Sequence, residues 1–161
     1  MTRLLPELPA DQLEVEYLYD TAFAPGRTAL SSYRLRAGPP VAGLSWLVRD
    51  DYDAVNAAIR YWPVQVSGAQ CLLLGPVAVH PTCQGEGLGS LLMQHSLTEA
   101  ARLGWSRVIL VGDEPYYRRF GFRRDLAMGL DYPPPTNLDR LLALELAPGA
   151  MDGVVGMVEP A

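Results

Sequence analysis

The stretch over residues 69–104 constrains the fold most, because three segments of different character follow one another without a linker. AQCLLLGPVAV is a long apolar run that predicts a strand, with Gly75 and Pro76 inside it marking a bulge or splay. HPTCQGEGLGS follows, then LLMQHSLTEAARLG. From the end of the glycine loop through the last segment, Leu88, Leu91, Leu92, Leu97, Ala100 and Ala101 recur at helical spacing. They predict an amphipathic helix over residues 90–103, with Gly104 placed to end it. A strand, a glycine loop and a helix in this order present unpaired backbone N–H groups at the helix start, a site suited to an anion.

Gly85, Gly87 and Gly89 allow the backbone to take positive φ and approach a ligand closely. A plain flexible connector is the competing reading. A Walker A loop is excluded, since no Gly-Lys-Ser/Thr follows. A dinucleotide fingerprint is a closer rival: GEGLGS misses it by one residue, and Asp113 ends the next strand where a ribose-binding acid belongs. Against it, HPTCQ separates Val79 from the first glycine, and several elements precede the unit.

Those earlier elements begin with a helix in PADQLEVEYLYDTAF, where Leu13, Tyr17, Leu18 and Ala22 give the apolar spacing, Asp11 is available as a cap and Gly26 breaks the pattern. RTALSSYRLRAG predicts a second short helix stopped at Gly38. AGLSWLVRD and NAAIRYWPVQV read as strands around a DDYD turn, with Pro63 demanding an edge or bulge position. Downstream come a buried strand in RVILVG, a short helix in EPYYRRF with Pro115 in its first turn, a PPP loop, and a strand in LLALELA before a glycine-interrupted apolar tail. The order implies an α/β or α+β fold with a mixed sheet, and 161 residues form a single domain over 1–161.

A net charge of −5 gives no broad footprint for nucleic acid. No apolar run reaches the ~20 residues of a membrane span, and the acidic, proline-bearing N-terminus is unlike a signal peptide, so a soluble cytoplasmic domain is expected. Cys71 and Cys83 lack metal or disulfide spacing, and no metal is expected.

Two motifs narrow the choice. VAVHPTCQGEGLG, through Val79, Pro81, Gln84, Gly87 and Gly89, resembles the acyl-CoA-binding motif of the GNAT acetyltransferases; YYRRFGF, through Tyr117, Gly121 and Phe122, resembles that family's Tyr-x-x-x-Gly-Phe signature. The resemblance covers roughly residues 3–146, and GDEPYYRRFGF is particularly similar to an uncharacterised bacterial subgroup related to YhbS. It implies a mixed, mostly antiparallel sheet flanked by helices and splayed at the acyl-CoA-binding strand. It implies acetyl-CoA as cosubstrate, an unidentified primary amine as acceptor, and direct transfer between them. A homodimer is compatible with it; nucleic acid and membrane are not among the implied partners. Carried across, the pyrophosphate cradle is Gln84, Gly85, Glu86, Gly87, Leu88, Gly89 and Ser90, with the Glu86 side chain turned to solvent. The pantetheine arm would lie along Val77, Ala78 and Val79, and the Val77 N–H would polarise the thioester carbonyl.

Tyr117 would be the general acid at the departing sulfur, with packing beside the arm as the alternative, and Tyr116 a pocket wall. The strand before the loop carries no carboxylate, so the base is open: Asp113 and Glu114 fit helix capping better than catalysis, His80 and His95 are weak candidates, and water is another. A CoA-binding sensor without efficient catalysis therefore stays an alternative, as does a nucleotide-dependent oxidoreductase. Arg118 and Arg119 are candidates for the CoA phosphates. Tyr33, Trp46 and Trp62 are candidates for an acceptor pocket or for the core, with the DDYDAV and LDYPPPTN segments beside it.

Overall fold

The computed structural model describes residues 2–23 and 31–161. The element order is β1 (Arg3–Pro6), α1 (Gln12–Phe23), β2 (Trp46–Arg49), β3 (Val55–Val66), β4 (Ala69–Val79), α2 (Leu88–Arg102), β5 (Arg107–Val111), α3 (Glu114–Tyr117), β6 (Leu130–Asp131), β7 (Leu141–Glu145) and β8 (Gly156–Pro160). The sheet runs β1-β2-β3-β4-β5-β7, with β8 added to the far half of β3 and β6 paired to β8. Only the β4–β5 and β6–β8 pairs are parallel, which makes the expected mixed, mostly antiparallel sheet. Among the described residues no helix is long and apolar enough to cross a membrane.

Helix α2 packs Leu88, Leu92, Met93, Leu97 and Ala100 onto β3 and β5 residues such as Ile59, Tyr61 and Val108. Inside this core the Tyr61 hydroxyl meets Ser96 Oγ at 2.7 Å, so the helix's one buried hydroxyl is satisfied. Gly104, at φ 95°, stops α2 as expected. Leu91 is exposed instead of buried, because the stripe is centred on Leu92 and Met93.

Helix α1 differs from its sequence reading. Its core face is Val15, Leu18 and Tyr19, whereas Leu13 and Tyr17 stand 85% and 73% exposed. The aromatic spacing misled because Tyr17 and Tyr19 are equally apolar by composition, and packing on β3 and β4 selects Tyr19. Asp11 accepts from the Leu8 N–H in the turn before α1 and pairs with Arg49 at 2.7 Å. The break at Gly26 and the start of the second short helix lie outside the described residues; Ser31–Leu35 is a 3-10 turn. Strand β1 and strand β8 were not foreseen: both are short, and β8 emerges from the glycine-interrupted tail.

The feature that positions the site is the kink in β4. Leu74 pairs with Tyr61 and Val77 with Ile59, so Gly75 and Pro76 together face Arg60 as a bulge, across a cis peptide. Two side chains hold it: the Tyr19 hydroxyl donates to the Pro76 carbonyl at 3.2 Å, and Arg36 Nε to the Gly75 carbonyl at 3.2 Å. The β4–β5 ladder contains Leu72↔Val108 and Leu73↔Ile109 and goes no further. Beyond it β4 follows β3 while β5 follows β7, and the sheet opens in a V. Pro63 costs nothing, since β2 pairs β3 only up to Ile59 and β8 only from Val64.

Candidate active site

Past the bulge, β4 presents a free edge. The His80 N–H donates to the Asn56 carbonyl at 2.7 Å, which fixes the alternation of the antiparallel β3–β4 ladder. Ala78 therefore directs its backbone groups at β3, while Val77 and Val79 direct theirs away from β3, into the open V. The strand ends at a 3-10 turn, Pro81–Cys83, capped by the His80 ring, whose Nδ1 lies 2.8 Å from Thr82 Oγ1.

The loop then supplies donors in series. Gly85 and Gly87 take φ of 88° and 80°, the left-handed region that glycine tolerates. Helix α2 begins with the Leu91 N–H bonding back to the Gly87 carbonyl. Between the Cys83 N–H, spent on His80, and the Leu91 N–H, no backbone N–H from Gln84 to Ser90 meets an acceptor among the described residues. They gather at the positive end of a helix dipole.

Two adjoining cavities flank the V. The first, about 570 Å³, is lined by Val77, Ala78 and Val79, by Gln84, Gly85, Gly87, Leu88, Gly89 and Ser90, and by Tyr116, Tyr117 and Arg119. Glu86 is absent from this wall and its side chain is exposed. The second, about 540 Å³, lies on the other side of the bulge, with Tyr33, Arg36, Gly75, Pro76, Gly112, Asp113 and Arg140 in its wall. Phe23, Val77, Tyr116 and Tyr117 line both. The cavities thus meet at Val77 and Tyr117.

Tyr117 is held by packing. Its ring stands edge-on to Tyr116 at 4.9 Å and to Phe122 at 6.2 Å, and Gly121 at φ 95° turns the chain so that Phe122 enters the core. Its other face lies against Gly112, where a β-carbon would sit 2.5 Å from Tyr117 Cε2. Burial pushes the phenol up from 10.0 to about 12, Tyr116 and Asp113 adding to the rise while Arg140 opposes it. The hydroxyl is therefore protonated at every ordinary pH.

Val77, Ala78, Val79, Gln84, Gly85, Gly87, Leu88, Gly89, Ser90 and Tyr117 therefore share one cavity, with Glu86 contributing only to the loop backbone. Other candidates separate. Arg119 lines the first cavity, stacked over Tyr116 at 4.6 Å; Arg118 does not line it. His95 packs edge-on to Trp46 at 4.2 Å, and both lie outside the two cavities, as does Trp62, which joins the second core cluster. Only Tyr33 of the three aromatic candidates lines the second cavity. Neither DDYDAV nor LDYPPPTN lines it; Asp50 instead folds the former turn onto itself through the Tyr52 and Ala54 N–H groups. Glu114 accepts from the Arg124 N–H at 2.7 Å and is committed to structure. Asp113, expected to cap α3, makes no side-chain cap. Arg36 and Arg140, unmarked by any motif, were missed; a lone arginine in a loop carries no periodic signal. Among the described residues no group of His, Cys, Asp and Glu is arranged to hold a metal.

Comparison with known proteins places this geometry. A family model described as an acetyltransferase (GNAT) domain matches residues 42–124, from before β2 to just beyond the Tyr117–Phe122 turn. The uncharacterised N-acetyltransferase YhbS of Escherichia coli is 28% identical over 155 residues, covering 95% of this chain and 92% of that protein. The crystal structure of E. coli YhbS in complex with CoA superposes with a TM-score of 0.83 at 28% identity, over 100% of this chain and 89% of that one. A GNAT family acetyltransferase from Brucella melitensis, in complex with acetyl-CoA, gives a TM-score of 0.72 at 26% identity, over 100% and 96% of the two chains. The matched segment holds the bulged strand, the donor-rich loop, helix α2 and the tyrosine turn together, and the chain belongs to the GNAT acetyltransferase family.

Proposed function

We propose that this chain is an acyl-CoA-dependent N-acyltransferase that moves an acetyl group from acetyl-CoA to a primary amine. The observation that carries this is the unspent N–H series from Gln84 to Ser90, which opens on the same cavity as the free edge of β4. A pyrophosphate fits such a cradle through backbone donors from Gln84, Gly85, Glu86, Gly87, Leu88, Gly89 and Ser90, so the exposed Glu86 carboxylate is no obstacle. The pantetheine arm then extends beside Val77, Ala78 and Val79 as an added strand. Complexes of two relatives with CoA and acetyl-CoA support the assignment. A donor of this kind is a cytoplasmic metabolite, and the enzyme is assigned to that compartment.

The thioester would lie where the cavities meet. The amine nitrogen attacks the carbonyl carbon from the second cavity, and the N–C bond forms as the carbonyl electrons move to oxygen. The outward Val77 N–H is the donor proposed for that oxyanion. Collapse breaks the C–S bond, the electron pair leaves on sulfur, and Tyr117 supplies the proton that makes the CoA thiol. The ammonium proton of the product side is lost through water, which also restores Tyr117.

Calorimetry with acetyl-CoA and with NADH, followed by thiol release over an amine panel, tests this. Saturable acetyl-CoA binding with amine-dependent thiol release is expected. NADH binding without acetyl-CoA binding would overturn it, and acetyl-CoA binding without release on any amine would leave a sensor.

A further inference from the structure

The second cavity has a charge of its own, opposite in sign to the chain's. Its charged lining is Arg36, Arg140 and Asp113, alongside the tyrosines Tyr33, Tyr116 and Tyr117. Two guanidinium groups against one carboxylate leave the wall net positive on a protein whose formal charge is −5.

The two cations are presented differently. Arg36 is anchored, its Nε on the Gly75 carbonyl at 3.2 Å and its guanidinium over the Tyr33 ring at 4.3 Å, so it is held at the bulge itself. Arg140 ends the 3-10 turn Leu138–Arg140 just before β7, and its backbone carbonyl accepts from the Gly112 N–H at 2.8 Å, which pins it beside Gly112 and Asp113. Its guanidinium forms no hydrogen bond or salt bridge among the described residues. Its charge still acts on the Tyr117 hydroxyl, opposing the rise caused by burial. A cation that reaches the proposed proton donor lies close to the bond being made. Asp113 is equally uncommitted: it neither caps α3 nor pairs with an arginine, and it too acts on Tyr117.

We propose, resting on the acyl-transfer reading above, that the acceptor is a small zwitterionic amine whose carboxylate or phosphate lies within a few bonds of the nitrogen. Arg140, with Arg36 behind it, takes the anionic group, and Asp113 takes the ammonium end before the proton leaves. Anionic oxygens satisfy a guanidinium with two parallel charge-assisted hydrogen bonds, which fixes orientation as well as position. A cationic polyamine would instead meet two like charges.

The test measures thiol release with an α-amino acid, the same compound as its amide, an aminoalkylphosphonate and spermidine. Wild-type kcat/KM should favour the two anionic amines over the amide and spermidine by about 10-fold or more. Arg140→Gln should raise KM for the anionic pair by a similar factor and leave the amide's KM and acetyl-CoA binding unchanged. Added salt should raise the same KM values, because Arg140 is exposed. The better substrate of the anionic pair tells carboxylate from phosphate. Equal turnover of acid and amide, or an equal rise in the KM of both on Arg140→Gln, overturns the proposal while acyl transfer stands. Failure to bind acetyl-CoA overturns the underlying assignment, and this proposal with it.

Discussion

Gly112→Ala tests the active-site geometry without removing any functional group. Gly112 lies outside the positive-φ region, so the substitution brings no backbone strain and acts through space alone. The new methyl would sit 2.5 Å from Tyr117 Cε2 and 3.0 Å from both Tyr117 Cδ2 and Leu110 Cδ1, where ordinary contact begins at 3.4 Å. The ring must yield by roughly 0.9 Å, the shortfall at Cε2. Tyr116 and Phe122 press on it from other sides, so it moves along its plane toward the cavities. A misplacement of about 1 Å at a reacting group costs on the order of 10²-fold in rate, equivalent to about 2.7 kcal/mol. Overpacking costs about 1–3 kcal/mol of stability, which a domain of this size tolerates. Thiol release at saturating acetyl-CoA reads kcat, calorimetry reads donor binding, and a thermal melt reads folding. We expect kcat to fall about 100-fold with donor affinity within about threefold of wild type. The double variant with Tyr117→Phe should be no slower than Tyr117→Phe alone, since both act through one hydroxyl. A folded Gly112→Ala enzyme with wild-type kcat would refute the argument.

Tyr117→Phe itself should lower kcat by about 10²-fold or more with little change in acetyl-CoA affinity; retention of full turnover across pH removes the phenol from the mechanism. Because burial raises this phenol from 10.0 to about 12, the proton it is proposed to donate is present throughout the assay range. No alkaline limb below about pH 10 should disappear in the Phe variant, and the stability tied to this group is complete below pH 10 and lost between pH 10 and 12. Gly87→Asp places a β-carbon at φ 80° and a carboxylate within the proposed anion cradle, so acetyl-CoA affinity should fall about 10-fold or more in calorimetry, while the backbone strain of about 1–3 kcal/mol lowers the melt by several degrees without unfolding the protein at the assay temperature. Arg60→Ala strands Glu7, whose two oxygens it holds at 3.0 Å and 2.8 Å, and releases Glu16; urea unfolding should show a loss of about 3–5 kcal/mol, and a loss under 1 would mean the network carries no stability.

The residues that act through backbone conformation were the legible ones. Gly85, Gly87, Gly104 and Gly121 all take positive φ where a loop or helix end demanded it, and Gly75-Pro76 forms the bulge. Such positions are set by local sterics, which a single sequence carries in full. The near-miss to a dinucleotide motif was separable for the same reason: HPTC forms its own capped turn between β4 and the loop, with His80 as the cap. What failed depended on partners distant in sequence. Tyr19 is buried and Tyr17 exposed because β4, not the helix period, chooses between them. Strand β8 exists through pairing with Val64, Gln65 and Val66, far along the chain. Asp113 and Glu114 looked interchangeable, yet Arg124 claims one and leaves the other facing the second cavity.

The bulge explains why so few contacts suffice to join the two cavities. A regular β4 would continue its parallel ladder with β5 past Leu73 and Ile109, closing the V and using the outward groups of Val77 and Val79 in the sheet. Inserting Gly75 and Pro76 opposite Arg60 turns the strand away from β5, and the same insertion leaves two carbonyls that need donors. Tyr19 from α1 and Arg36 from the front of the domain answer them. The defect that frees an edge for the proposed acyl donor thereby anchors a cation in the wall of the second cavity, the proposed acceptor site. Loss of the Arg36 side chain should consequently act on both substrates, raising acceptor KM and loosening the strand beside the proposed thioester position, whereas Arg140→Gln, apart from its effect on the Tyr117 phenol, should raise acceptor KM and leave acetyl-CoA binding unchanged. The contrast between the two arginines distinguishes a cavity that merely happens to be positive from one built together with the bulge.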